Sequence, residues 1–164
     1  MEITTKIVTQ AVLLFAVLFC SWGISAQEVE KIDPAIFPDP VLVAPDPPKA
    51  IKGWKMGELE GSEVLIGEYP GKILKFQFEG DAVGIVVAGT TEAGIIEYSV
   101  DNYPWQKKDL FMEGMDEKQQ LYFTLETGLK DQKHMLQLRL SDESNPKSTG
   151  NKCLLQYFYF NTKK

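Results

Sequence analysis

From Trp54 onward the chain is a series of short runs in which apolar and polar residues alternate. In Leu74-Lys75-Phe76-Gln77-Phe78 the leucine and both phenylalanines share one side of an extended backbone, and in Leu136-Gln137-Leu138-Arg139-Leu140 the three leucines do, because successive side chains of a strand point to opposite faces. This pattern predicts strands over residues 63–66, 73–78, 82–88, 94–100, 120–126, 135–140 and 153–160. Gly71, Gly80, Gly89, Gly94, Gly128 and Gly150 fall between the runs, at the spacing of turns in a sandwich or barrel. No window of comparable length has a helical apolar period. Strands with one apolar face need a second sheet to cover them, so the fold expected is all-β, an antiparallel jelly-roll style β-sandwich over residues 54–164 in preference to a closed barrel.

The pattern changes before Trp54. Residues 28–49 hold Pro34, Pro38, Pro40, Pro45, Pro47 and Pro48 among Asp33, Asp39 and Asp46, too much proline for a helix or a central strand. Residues 27–53 are therefore expected to be an extended segment, and Ile36, Phe37, Val41, Leu42 and Val43 suggest that it wraps along the domain instead of trailing in water. Further back, Lys6, the apolar run 7–19 and the small-residue stretch Ser21-Trp22-Gly23-Ile24-Ser25-Ala26 follow the order of a secretory signal peptide over residues 1–26. The run is shorter than the roughly 20 residues of a spanning helix, so no membrane insertion is expected after cleavage, and the expected location is periplasmic or secreted. Lipid modification at Cys20 stays open, against the bulky Phe19 before it.

Charge and residue counts then narrow the chemistry. The net charge is −6 and the basic residues form no stripe, so nucleic acid is not an expected partner. His134 is the single histidine of the chain, and cleavage after Ala26 would leave Cys153 as the single cysteine. Neither a disulfide nor a zinc site of histidines and cysteines can then be assembled, and no metal or cofactor is expected. Cys153, in an apolar run, reads as a core residue. Asp131-Gln132-Lys133-His134 has the Asp-x-x-His spacing of an esterase acid and base, but the histidine opens an alternating strand and no Gly-Asp-Ser nucleophile turn exists. His134 is therefore read as a histidine at the edge of a strand with a structural hydrogen bond. Glu58, Glu60, Glu63 and Glu68, and Asp109, Glu113, Asp116 and Glu117, read as solvated loop charge, and no Asp-x-Asp-x-Asp-Gly run supports calcium. The chain is not expected to be an enzyme.

Two stretches, Phe76-Gln77-Phe78-Glu79-Gly80-Asp81-Ala82-Val83-Gly84-Ile85 and Gly94-Ile95-Ile96-Glu97-Tyr98-Ser99-Val100-Asp101, together with the ending Asn145-Pro146-Lys147-Ser148-Thr149-Gly150 before a last strand, resemble the accessory galactose-binding-like β-sandwich of secreted bacterial SGNH (GDSL-type) esterases. The resemblance runs from Trp54 to Asn161, and no counterpart of the catalytic domain of those enzymes is expected. It implies a module that contacts a polysaccharide or other glycan, or one that docks on a separately encoded esterase.

A sugar-binding surface needs an aromatic ring for the apolar side of a pyranose and polar groups for its hydroxyls. The loop expected over residues 101–109 supplies both: Tyr103 and Trp105 stand among Asp101, Asn102, Gln106 and Asp109. The competing reading folds Trp105 back onto the core. Trp54 is expected to dock the proline-rich segment. Tyr157 and Tyr159, opposite Phe158 and Phe160 in the last strand, form either a second exposed aromatic pair or packing under a cover.

Overall fold

The computed structural model describes residues 31–46 and 52–162. The expected signal segment with Cys20, and residues 27–30 and 47–51 of the proline-rich segment, lie outside the described residues. The described residues contain ten strands and no helix: β1 Pro40–Val43, β2 Trp54–Leu59, β3 Ser62–Gly67, β4 Leu74–Gly80, β5 Val83–Ala88, β6 Ile95–Val100, β7 Gln106–Asp109, β8 Gln120–Glu126, β9 Gln132–Leu140 and β10 Cys153–Asn161. They form two antiparallel sheets packed face to face. One runs β2-β3-β10-β5-β8, with β1 added beside β10, and the other runs β4-β9-β6-β7.

The alternation read from the sequence becomes the core. Leu136, Leu138 and Leu140 of β9 and Leu74 and Phe78 of β4 face Ile85, Val87, Phe123, Leu155 and Phe158 of the other sheet in one buried cluster. Phe76 of β4 stacks flat on Phe158 of β10, with ring centroids 4.0 Å apart, across the gap between the sheets. In β10 the parity of the faces shifts once. A bulge between Leu155 and Tyr157 places one extra residue in the strand, so that Cys153 and Leu155 before it and Phe158 after it all reach the main core.

Part of the outer side of the larger sheet, around β5 and β10, is covered as well. Asp33 caps a tight turn, its carboxylate accepting the Ala35 N–H and its carbonyl accepting those of Ile36 and Phe37; Pro34 suits the second position of such a turn. The turn drops Phe37, 1% exposed, onto Tyr159 in an edge-to-face contact at 4.8 Å. Ile32, Ile36, Tyr122 and Tyr157 pack around this pair. Tyr159 lies over Gly84 of β5, where any side chain would collide with its ring, and its hydroxyl meets Thr124 Oγ1 at 3.1 Å. Asn161 locks the cover in place: its side-chain oxygen accepts the N–H of Ala82 and its amide donates to the carbonyl of Ile36 and to the Asp81 carboxylate.

The structure decides three readings. The pair Tyr157 and Tyr159 is packed under the segment 32–37 and is not an exposed aromatic surface. Trp54 is a core residue: its ring joins the main core and its indole N–H donates to the Lys72 carbonyl at 2.9 Å. Residues 40–43, proline-led and short, form a strand all the same, because Pro40 sits at its first position, where a missing N–H is tolerated.

Truncating Phe37 to alanine should leave a cavity beneath the segment and lower the unfolding free energy by about 3–5 kcal/mol. Urea denaturation measures this; a loss below about 1 kcal/mol would mean that the segment adds little to the fold.

Candidate functional site

The outer side of the β4-β9-β6-β7 sheet has no covering segment among the described residues, and its polar side chains are set out by strand register. Arg139 of β9 lies directly opposite Glu97 of β6, and Glu97 opposite Lys107 of β7. The three form one cross-strand row: Arg139 Nε donates to Glu97 Oε2 at 2.7 Å, and Lys107 Nζ lies 3.8 Å from Glu97 Oε1 and donates to Glu143 at 2.6 Å. Ser141 donates to Glu97 Oε1. Glu143, followed by the charges of Glu97 and Asp142, raises the pKa of the Lys107 ammonium. In the next row Gln137 faces Ser99. Trp105, two residues before Lys107, lies against this surface: the Arg139 guanidinium sits 4.3 Å above its ring centroid, a contact worth about 0.5–1 kcal/mol at an exposed site. Beside this stack is a shallow depression of about 260 Å³ lined by Pro70, Gly71, Glu97, Arg139, Leu140 and Asp142.

The aromatic loop is tied to the sheet by a tight turn. Asp101 and Asn102 both have positive φ, at 50° and 63°, and the Tyr103 N–H returns to the Val100 carbonyl at 2.9 Å, the mirror-image hairpin turn that Asp and Asn tolerate. The Asp101 carboxylate then reaches across to β9. One oxygen accepts the Met135 N–H at 2.8 Å and the other meets His134 Nδ1 at 2.5 Å. His134 Nε2 meets the Lys130 carbonyl at 2.7 Å. Both ring nitrogens face acceptors, so both bonds form only when the imidazole carries two protons and a positive charge. Burial opposes that charge, yet the Asp101 carboxylate and the Lys130 carbonyl outweigh it and raise the His134 pKa. Burial likewise opposes the Asp101 charge, while the His134 bond and the Met135 N–H lower its pKa on balance. Asn102 accepts from Gln137 at 2.8 Å, and the Ser99 hydroxyl donates to the Tyr103 carbonyl.

The six residues named from the sequence therefore separate. Trp105, 38% exposed, stands on the open face and does not cap the core, and Tyr103 is 60% exposed. Asp101 and Asn102 hold the turn. Gln106 alternates away from Trp105, accepting from Tyr98 and donating to Glu126. Asp109, at the far end of β7, accepts from Asn145 at 2.6 Å and from the Phe111 N–H. The expected loop over 101–109 is half strand, because residues 106–109 pair with β6. His134 is not at a strand edge either: it is the third residue of β9, between β4 and β6, and 5% exposed. Cys153 is fully buried, which pushes its thiol up to about 12. Sequence reasoning missed Arg139, Glu97, Lys107 and Gln137. Their signal was the polar half of two alternating strands, but only the pairing of β9 with β6 brings them to the tryptophan.

No family model matches this chain, and no curated protein does. Solved structures match its fold. A two-domain esterase active on acetylated mannans, crystallised with mannopentaose, superposes with a TM-score of 0.57 at 10% identity; the match covers 82% of this chain and 39% of that one. A Paenibacillus xanthan lyase gives 0.53 at 16% identity, with 80% of this chain and 14% of that one. A family two carbohydrate esterase from Cellvibrio japonicus gives 0.50 at 16%, with 76% and 34%. This chain thus spans less than half of each of these proteins.

The His134–Asp101 pair makes stability depend on pH in a defined direction. With its folded pKa above the unfolded value of about 6.5, His134 stabilises fully below that value, and the contribution is lost as pH rises through the folded one. Asp101, lowered in the fold, stabilises fully above about 3.9 and loses its contribution as pH falls through its folded value. Melting temperatures followed from pH 5 to 9 should fall on the alkaline side for the native protein. His134→Gln should be less stable by about 1–3 kcal/mol with that alkaline decline flattened; an unchanged pH profile would refute a charged histidine.

Proposed function

We propose that this chain is a non-catalytic, carbohydrate-associated module that binds a glycan on the outer face of its four-stranded sheet and works in the periplasm or outside the cell. The observation that carries the reading is the partly exposed Trp105 ring held against a fixed guanidinium on an open, polar sheet face. An aromatic plane bordered by donors and acceptors is what a pyranose requires, since its C–H side packs on rings and its rim hydrogen-bonds. Two kinds of support meet here. The matching solved structures include a mannan-active esterase and a family two carbohydrate esterase, each matched over only a part of its length, and the sequence resembles the accessory sandwich of secreted esterases. Among the described residues, His134 is bonded to Asp101 and a carbonyl and Cys153 is buried in the core, which supports structural roles for both.

A second reading, docking on a separately encoded esterase, draws on the same partial matches. It calls for a broad apolar surface, and the exposed large hydrophobic residues among those described are the scattered Val41, Leu42, Tyr69, Tyr103 and Trp105.

Affinity electrophoresis of the purified protein through gels cast with soluble polysaccharides tests the proposal. Retardation in at least one gel is expected, and Trp105→Ala should abolish it with a melting temperature shifted by only a few degrees, because the side chain lies outside the core. Unretarded migration in every gel would reject glycan binding in favour of the docking reading.

A further inference from the structure

The Trp105 face carries two polar groups whose hydrogen-bonding capacity is unused within the described residues. Arg139 commits Nε to Glu97 and its plane to Trp105, which fixes the guanidinium while its two Nη groups, four N–H donors, have no bond to a described residue. Asp142, lining the same depression, makes no hydrogen bond to a described residue. Glu97, by contrast, is occupied by Arg139, Ser141 and Lys107. The depression thus presents one set of donors and one carboxylate acceptor without a hydrogen bond to a described residue, and Trp105 stacks on the guanidinium that lines it.

The sign of the field there matters as much as the bonds. Arg139 and Lys107 contribute two positive charges, and Glu97, Asp142 and Glu143 three negative ones. Lys107 is held between Glu97 and Glu143 and is not free for a ligand. A carboxylated sugar brought to Arg139 would meet Asp142 at close quarters, and like charges in one shallow site oppose binding. A hydroxyl pair meets no such penalty, since each hydroxyl both donates and accepts: one oxygen can take the Nη donors while a neighbouring hydroxyl donates to Asp142.

Resting on the glycan-binding reading above, we infer that this face selects uncharged pyranosides with free neighbouring hydroxyls and rejects uronates, with Arg139 as the residue that determines specificity. Trp105 has two tasks in this site. It keeps the guanidinium flat, and its remaining exposed surface takes the apolar side of the sugar. Lysine could replace the charge of Arg139 but neither the planar fork nor the stack.

The test runs the full chain and Arg139→Lys through gels containing neutral polymers (a β-mannan, a β-glucan and a xylan) and acidic ones (polygalacturonate and alginate), each at low and at high salt. Retardation by a neutral polymer is expected, insensitive to salt and weakened at least about tenfold in Arg139→Lys. A thermal melt of the variant, expected to match the native protein within a few degrees, separates lost recognition from lost folding; should the variant unfold early, Asp142→Ala, which removes the acceptor, serves in its place, with weakened retardation expected on the neutral polymer. Retardation by an acidic polymer that fades with salt would overturn the inference and leave glycan binding standing. Equal retardation of native and variant proteins would place the site elsewhere and also overturn it. Unretarded migration in every gel would remove the glycan-binding reading itself.

Discussion

Much of this molecule depends on the bond between the Asp101 carboxylate and the His134 ring. Asp101 stands in the left-handed conformation of a two-residue turn, and its two oxygens grip successive positions of the neighbouring strand, the ring of His134 and the backbone N–H of Met135. A strand that slips by one residue exchanges its buried and exposed faces. With this grip in place, Leu136, Leu138 and Leu140 point to the core and Gln137 and Arg139 to solvent, and the partner strand follows, so that Glu97 meets Arg139. The same turn fixes where the chain departs toward Trp105. One charged pair therefore ties the register of β9 on β6 to the position of the aromatic residue.

The two sheets divide the labour. The larger sheet is buried by the main core within and, around β5 and β10, by Ile32, Ile36 and Phe37 without, which suits its nearly continuous apolar strand β5, buried at all six positions. The smaller sheet keeps one side open and lines it with polar groups paired across strands. Surface ion pairs of this kind contribute little stability, about 0–1 kcal/mol each. Their effect here is orientation: Glu97 takes the Nε of Arg139 and Trp105 its plane.

The fold was legible because its main signals are local. Alternation in β4 and β9, and the glycine-marked turns, gave the all-β sandwich and seven of the strands within a few residues. The strands that escaped have reasons. Residues 40–43 begin with proline and become a strand only by lying against the end of β10. Residues 106–109, Gln-Lys-Lys-Asp, have no apolar alternation and are held by their pairing with β6. Trp54 was expected to dock the proline-rich segment and is a core residue, because β2 pairs with β3 from its first position. In the candidate site the aromatic half could be read from one loop, whereas the polar half could not: Glu97 and Arg139 lie 42 residues apart in sequence and meet only through register. His134 was recognised as structural, but its partner Asp101, 33 residues away, was assigned to the ligand.

Strand β10, the last in chain order, is also the hub of the larger sheet, pairing with β1, β3 and β5. Until it arrives, the hairpin of β2 and β3, the pair of β5 and β8, and the short β1 have no common partner. The covering segment is in the same position, since Asn161 binds a carbonyl 125 residues earlier. Contacts at such separations close large loops before they return any stabilisation, which slows folding. The larger sheet therefore closes only once β10 is present, so its assembly is governed by pairings distant in sequence and not by its local hairpins.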